Sequence, residues 1–242
     1  MKALYLKEIR SFLASLSGYV VMAVFLIFLG LFLWVFEGSY NILNMGFASL
    51  TPFFQLAPWI FCFLIPAITM KSFSDEKKTG TLELLLTKPL TPLQIIFPKF
   101  LAGLTLVVIT LVPTLIYYFT LHYLGLPVGN IDSGAVWGSY VGLILLSSGF
   151  VAVGLFASSL TDNQIIAFLL SVLFSFFLFI GFEAIGSLVK WGKLAYYLNQ
   201  FGVNEHYLSL SKGVIDSRDV IYFLSLSFVF MVFTKMIIEK RK

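Results

Sequence analysis

Residues 135–160 read AVWGSYVGLILLSSGFVAVGLFASSL, and these 26 positions contain no Asp, Glu, Lys or Arg. At 1.5 Å per residue a helix of this length reaches about 39 Å, which exceeds the hydrocarbon layer of a bilayer. Five further stretches predict the same structure, and only the last of them carries a charge, Lys235, near its end. The six predicted spans are Tyr19–Phe36, Phe53–Met70, Phe100–Leu124, Ala135–Leu160, Gln164–Phe182 and Val220–Ile238.

The composition leaves little room for any other kind of domain. Hydrophobic residues make up 59% of the 242 residues, and the mean hydropathy is +0.96. The segments between the spans are too short for a soluble domain of the usual size, about 100 residues. The sequence therefore predicts one all-α polytopic membrane domain over residues 1–242. Its one cysteine, Cys62, lies inside the second span, so an intramolecular disulfide is excluded.

The basic residues predict the orientation of the spans. With the N-terminus in the cytoplasm, twelve of the sixteen Lys and Arg residues lie on the cytoplasmic side, as the positive-inside rule favours. The tryptophans Trp34, Trp59, Trp137 and Trp191 then fall at outer span ends, where aromatic rings concentrate. We therefore expect both termini in the cytoplasm. The cytoplasmic residues are Lys2, Lys7, Arg10, Lys71, Lys77, Lys78, Lys88, Lys99, Lys235, Lys240, Arg241 and Lys242, and the outer ones are Lys190, Lys193, Lys212 and Arg218.

Residues 1–17 predict an amphipathic helix at the cytoplasmic interface, before a retained first span. Its apolar side is formed by Tyr5, Ile9, Phe12, Leu13 and Leu16. Lys7 and Arg10 lie on the other side, where we expect them to face lipid phosphates. The pattern fits a simple anchor for span one and a contact with a partner protein equally well.

The polar segment 71–99, KSFSDEKKTGTLELLLTKPLTPLQIIFPK, connects spans two and three. After Gly80, residues 81–86 (TLELLL) predict a short helix with Glu83 in its first turn, where a negative charge is favoured. Thr91, Pro92 and Gln94 have the capping-box pattern that begins a second short helix. We expect this segment to be a docking surface for a cytoplasmic protein, with four charged residues exposed. They are Asp75, Glu76, Lys77 and Lys78.

Residues 183–219 form the long outer connection, with aromatic residues among Gly and Asn, and predict short helices against the outer leaflet. Glu183, where the fifth span meets this segment, fits an interfacial carboxylate or a residue of an outer gate or cavity.

Pro58, Pro66 and Pro113 interrupt spans two and three, and proline kinks a helix. In the fourth span, residues 138–142 form a GxxxG pair, which permits close helix packing.

Several kinds of chemistry have no motif in this sequence. There is no P-loop, and two histidines with one cysteine are too few for a structural metal site. No HExxH, GxSxG or paired-carboxylate pattern occurs, and no charged residue lies near the middle of a predicted span. Ion-coupled transporters usually need such intramembrane charges. If this protein moves a substrate uphill, the energy must come from outside the chain.

Two segments together with the span pattern resemble the membrane subunits of ABC-2 type transporters. FSDEKKTGTLELLLTKPLTPLQIIFPKF (73–100) is similar to that family's E-x-x-x-GTLELLL-x-x-P-L signature after span two. HYLSLSKGVIDSRDVIYFLSLSFVF (206–230) resembles the segment that leads into the family's last span. Within the family, both segments are most similar to gliding-motility-associated permeases of the GldF type. One position departs from the family: Pro98 stands where glycine is usual, and we expect it to bend the start of span three.

The resemblance implies the fold of type V exporters and a half-transporter in a bacterial inner membrane. Two permease subunits would pair, as a homodimer or heterodimer, and each would dock on a separate ABC ATPase that binds ATP and Mg²⁺. The chain itself would be no enzyme, would hold no cofactor, and would contact lipids but no nucleic acid. Residues implied to form the ATPase-coupling helix are Glu76, Gly80, Thr81, Leu82, Glu83, Leu84 and Leu85.

Two other functions remain open on the sequence. A membrane scaffold that anchors a cell-envelope complex without transport would use the same docking segment. An ion-coupled secondary transporter is disfavoured by the spans without central charges. The substrate is not indicated by the sequence.

Overall fold

The computed structural model describes residues 1–188 and 192–240, and in these ranges the regular structure is helical. Lys190, Trp191, Arg241 and Lys242, which entered the orientation argument, lie outside the described residues. Within those ranges, six helical segments are long and apolar enough to cross a membrane, which confirms the six predicted spans. They are Leu16–Val35, Thr51–Lys78, Pro92–Leu124, Ser133–Leu160, Gln164–Leu188 and Ser217–Glu239.

Consecutive spans run in opposite directions, so the short helices that connect them lie at the two ends of the bundle. The end that holds α1, α4 and α5 is called the α5 end, and the end that holds α10 to α12 is called the α12 end. Single turns of π-helix follow α2 and α9, and Pro113 lies in a 3-10 turn between α6 and α7. The α-helices are α1 (Lys2–Leu13), α2 (Leu16–Gly30), α3 (Thr51–Thr69), α4 (Lys71–Lys78), α5 (Thr81–Leu86), α6 (Pro92–Leu111), α7 (Leu115–Leu124), α8 (Ser133–Leu160), α9 (Gln164–Phe176), α10 (Phe182–Leu188), α11 (Gly192–Asn199), α12 (Val203–Leu210) and α13 (Ser217–Glu239).

Helix α1 packs its apolar side against the bundle, but the side is shorter than the sequence predicts. Ile9 and Phe12 pack against the core, and the Tyr5 hydroxyl lies 3.0 Å from Thr105 Oγ1 in α6. Leu16 does not belong to this side, because Ser15 caps a new helix there and leaves Leu16 81% exposed. A serine side chain that accepts a hydrogen bond from a following backbone N–H starts a helix in a new direction.

Spans two and three are longer than predicted because the connecting segment continues them. Helix α4 follows α3 after Met70 and extends span two to Lys78. The capping box is confirmed: Thr91 Oγ1 accepts from Gln94 N (3.4 Å), and Gln94 Oε1 accepts from Thr91 N (3.0 Å). It begins α6, the first part of span three, and not a separate short helix. Pro98 lies inside α6 without ending it.

Helix α8 is the central element, and the most buried of the six spans. It packs against α13, α3, α9 and α6. Small residues make this possible: a Cβ at Gly154 would lie 2.9 Å from Thr69 Cβ, and one at Gly142 would lie 2.7 Å from Leu210 Cβ. In lipid, helices associate by close van der Waals packing of this kind. The hydrophobic effect gives no driving force there, because the acyl chains are as apolar as the helix surfaces. Spans one, five and six are less buried than the other three.

Candidate functional site

The short helix α5 is set off from α4 by a glycine turn. Gly80 has φ of +70°, a left-handed conformation that glycine adopts without a steric cost. Beyond this turn, Leu82 and Leu86 lie one helical turn apart and are both buried. They attach one side of α5 to the bundle and orient its other side outward.

The outward side of α5 carries most of the residues predicted to contact an ATPase. Gly80, Thr81, Glu83 and Leu84 are exposed, and we call them the α5 patch; Leu84 is 66% exposed. Leu85 is half-buried. A cleft of about 190 Å³ lies beside the patch, lined in part by Gly80 and Glu83.

Glu76, in contrast, is not at the surface. It was predicted to be exposed, but it is 6% exposed, and its Oε1 lies 2.7 Å from Lys7 Nζ and 3.0 Å from Lys99 Nζ. Asp75, also predicted to be exposed, is half-buried and accepts a hydrogen bond of 2.7 Å from Gln164. Helix α4 therefore turns its acidic residues toward the bundle, because basic and amide groups of other helices lie there.

Lys99 is the centre of this interaction, and its side chain is fully buried. Its ammonium group donates to Glu8 Oε1 at 2.7 Å and to the Ser72 carbonyl at 2.7 Å, and lies 3.0 Å from Glu76 Oε1. Two of the three ammonium hydrogens are therefore donated in hydrogen bonds, and the Glu76 carboxylate lies at ion-pair distance. The same group lies 5.0 Å from the centre of the Phe73 ring, a cation–π distance.

Lys7, Glu8, Glu76 and Lys99 form a group that we call the ionic cluster. Burial by itself lowers the pKa of Lys7, but the hydrogen bond and charge of Glu76 outweigh it, so the pKa is raised and Lys7 stays charged. The cluster has two positive and two negative residues, so its charge balances. The Lys7 side chain pairs with Glu76 and is 54% exposed, so it lies at the surface of the helix bundle, and its contact with lipid phosphates stays a prediction.

The ionic cluster joins three helices that are distant in sequence: α1, α4 and α6. Removing one partner of such a buried pair is costly, because the other charge is left without compensation. Any displacement of α4 must therefore either carry α1 and α6 with it or break these contacts.

Helix α4 is also attached to the end of α8. The hydroxyl of Ser158 accepts hydrogen bonds from the backbone N–H groups of Phe73 (2.9 Å) and Ser74 (3.1 Å), and donates to the Met70 carbonyl (3.0 Å). Lys77 donates to the carbonyl of Ser159. One serine thus satisfies backbone groups at the junction of α3 and α4, where the helical hydrogen-bond pattern changes.

At the α12 end, Glu183 is exposed and accepts a hydrogen bond of 3.0 Å from Asn204 in α12. A more buried polar contact lies close by, between α12 and α13. His206 Nδ1 lies 2.8 Å from Asp219 Oδ1, its Nε2 lies 2.9 Å from the Gln200 carbonyl, and its ring stacks on Tyr222 at 3.9 Å. These contacts fix α12 on the last span.

Neither the ion pairs of Glu8 nor the burial of Lys99 was predicted from the sequence. Glu8 is the only acidic residue among the first 36, and its position in an otherwise basic helix was a signal for an internal ion pair. For Lys99, no signal in the sequence separates a residue at the membrane surface from one inside the bundle.

Residues 2–215 match the family model described as ABC-2 family transporter protein. The chain belongs to the ABC-2 transporter family. The match runs from α1 through α12, so it includes the ionic cluster, the α5 patch and the contacts at the α12 end, and it confirms the family named by resemblance. No curated protein matches the sequence. The six spans and the ABC-2 match together describe a multi-pass membrane subunit of a transporter.

Proposed function

We propose that this ABC-2 subunit is driven by a separate ABC ATPase that binds the α5 patch. The observation that carries the proposal is the connection of α5 to the bundle through α4. An exposed turn with an outward Leu84 and Glu83 follows directly on α4, which the ionic cluster attaches to α1 and α6. A displacement of α5 would therefore be transmitted to α1 and α6 through α4 and the ionic cluster.

The remaining partners follow from the exposed helix surfaces and from the family. One of the less buried spans one, five and six would meet a second permease subunit, and the other exposed surfaces of these spans would meet lipid. ATP and Mg²⁺ would be bound by the ATPase and not by this chain. The proposed location is a bacterial inner membrane with the α5 end in the cytoplasm, as the basic residues favour. A role in gliding motility is proposed from the resemblance of residues 73–100 and 206–230 alone.

Glu83→Arg tests the proposed ATPase contact. Reversing an exposed charge in the centre of the α5 patch is expected to weaken an interface by roughly tenfold or more, since like charges across an interface cost several kcal/mol. The tagged full-length chain is purified from its native membranes in mild detergent, and the eluate is assayed for ATP hydrolysis. We expect ATPase activity to co-purify with the unchanged chain and to be largely lost with Glu83→Arg.

The matched control is Glu205→Arg, which changes an exposed acidic residue in the first turn of a short helix at the α12 end. It is expected to keep the ATPase. If Glu83→Arg also keeps it, the docking site lies elsewhere on the chain. If no ATPase co-purifies with the unchanged chain in several mild detergents, a membrane scaffold becomes the better explanation.

A further inference from the structure

Pro58 leaves a gap in the hydrogen bonding of α3. Proline has no N–H, so the carbonyl four residues earlier, that of Phe54, receives no helical hydrogen bond. Phe54 is 2% exposed, so water does not compensate. A buried carbonyl without a partner in a membrane protein is expensive, and another group must supply the donor.

That donor comes from outside the span. The Tyr207 hydroxyl, in α12, donates to the Phe54 carbonyl at 2.8 Å, and Tyr207 itself is 2% exposed. Burial raises the pKa of this phenol well above its ordinary value, so the hydroxyl keeps its proton. The contact thus joins α12 to the proline-interrupted part of α3.

Helix α12 has further contacts with the neighbouring helices α13 and α8. His206 contacts Asp219 in α13, and Leu210 lies directly against Gly142 in α8. At the other end of span two, α4 places Glu76 in the ionic cluster. Phe54 and Glu76 lie on one helical segment, Thr51–Lys78, separated by about 33 Å at the usual rise per residue.

We propose that Tyr207 is a positioning residue that makes α12 follow span two, so that a displacement of α4 at the α5 end reaches the segment before the last span. The proposal rests on the proposed function, because an ATPase at the α5 patch would produce that displacement. Its test needs no ATPase: the displacement is imposed by Glu76→Gln, which weakens the ionic cluster.

The readout is the rate at which N-ethylmaleimide modifies a single cysteine in α12 of the full-length chain in its native membranes. Leu208→Cys, at a position 45% exposed, supplies the thiol in a Cys62→Ala background. With Tyr207 present, Glu76→Gln is expected to change the rate about threefold or more. With Tyr207→Phe, the same change is expected to have no further effect on the rate.

A second variant separates positioning from stability alone. Pro58→Ala restores a backbone donor for the Phe54 carbonyl, so Pro58→Ala with Tyr207→Phe should recover thermal stability and still lack the response to Glu76→Gln. A response that returns with Pro58→Ala overturns the proposal, since Tyr207 would then only satisfy a carbonyl. The proposal is also overturned if Glu76→Gln changes the modification rate equally with and without Tyr207. It is overturned as well if Glu76→Gln changes the rate in neither background. None of these outcomes depends on whether an ATPase binds the α5 patch.

Discussion

Lys99→Met is expected to lower the free energy of unfolding by about 3–5 kcal/mol, because it removes the buried cation that Glu8 and Glu76 share. Only Lys7, whose side chain is 54% exposed, then remains near the two carboxylates. The Ser72 carbonyl loses its donor as well. For a chain of this size the loss corresponds to a fall of about 10 °C or more in Tm. Tryptophan fluorescence during heating of the purified protein in detergent measures it.

Two further variants determine whether uncompensated charge is the cause. Combining Lys99→Met with Glu8→Gln and Glu76→Gln removes both carboxylate charges that faced Lys99 and should recover much of the lost stability. Lys235→Met is the matched control: Lys235 pairs with Glu239 at 3.6 Å on an exposed surface, so a change below about 1 kcal/mol is expected. If Lys99→Met melts at the temperature of the control, the ionic cluster does not hold α1 and α4 on the bundle.

Gly138→Ala is expected to cost about 3 kcal/mol, at the upper end of what added methyl groups cost in a packed interior. A Cβ at Gly138 would lie 2.9 Å from the Cα and carbonyl carbon of Gly213, which are backbone atoms that cannot move aside like a side-chain tip. Gly213 has φ of +81° and packs in turn against Ala135, so the approach is close from both sides. The hydrogen bond of 3.0 Å from Ser139 to the Ser211 carbonyl would also be stretched.

Gly134→Ala provides the comparison within the same helix. A Cβ there meets only Asp132 Oδ1, at an ordinary contact distance of 3.4 Å, and alanine favours a helix over glycine. We expect Gly134→Ala to leave Tm unchanged or slightly raised, and Gly138→Ala to lower it clearly. Similar Tm values for both variants would show that α8 and the segment after α12 can separate without loss of stability. That result would contradict a close contact between Gly138 and Gly213.

The sequence predicted well those features that depend on neighbouring residues or on the membrane itself. A long run without charges must be helical in lipid, so the six spans could be predicted without any knowledge of how they pack. The Thr91 capping box is equally local, because its donors and acceptors lie within three residues of each other. The prediction of a second short helix after it was wrong, since nothing in the sequence separates that helix from the apolar run that continues it.

The predicted exposure of Asp75 and Glu76 was wrong, and the partners of both residues lie far away along the chain. Glu76 was assigned to the surface because charged residues usually lie there, but it is 6% exposed. The burial of the Lys99 side chain was not predicted either. The residue separations in the ionic cluster are 69 between Lys7 and Glu76 and 91 between Glu8 and Lys99. No periodicity of a single helix reports contacts over such separations.

The sequence by itself therefore determined that this protein has six helical spans, because the hydrocarbon layer imposes helices on every charge-free run of sufficient length. The ABC-2 family was indicated separately, by the resemblance of residues 73–100 and 206–230. Only the tertiary structure decided which polar groups are buried and what they join. Lys99 becomes an internal cation because α1, α4 and α6 meet around it, and Tyr207 becomes a donor because α12 lies against the carbonyl that Pro58 leaves free. Both depend on the packing of distant helices, and the energies of buried charges and carbonyls then hold that packing in place.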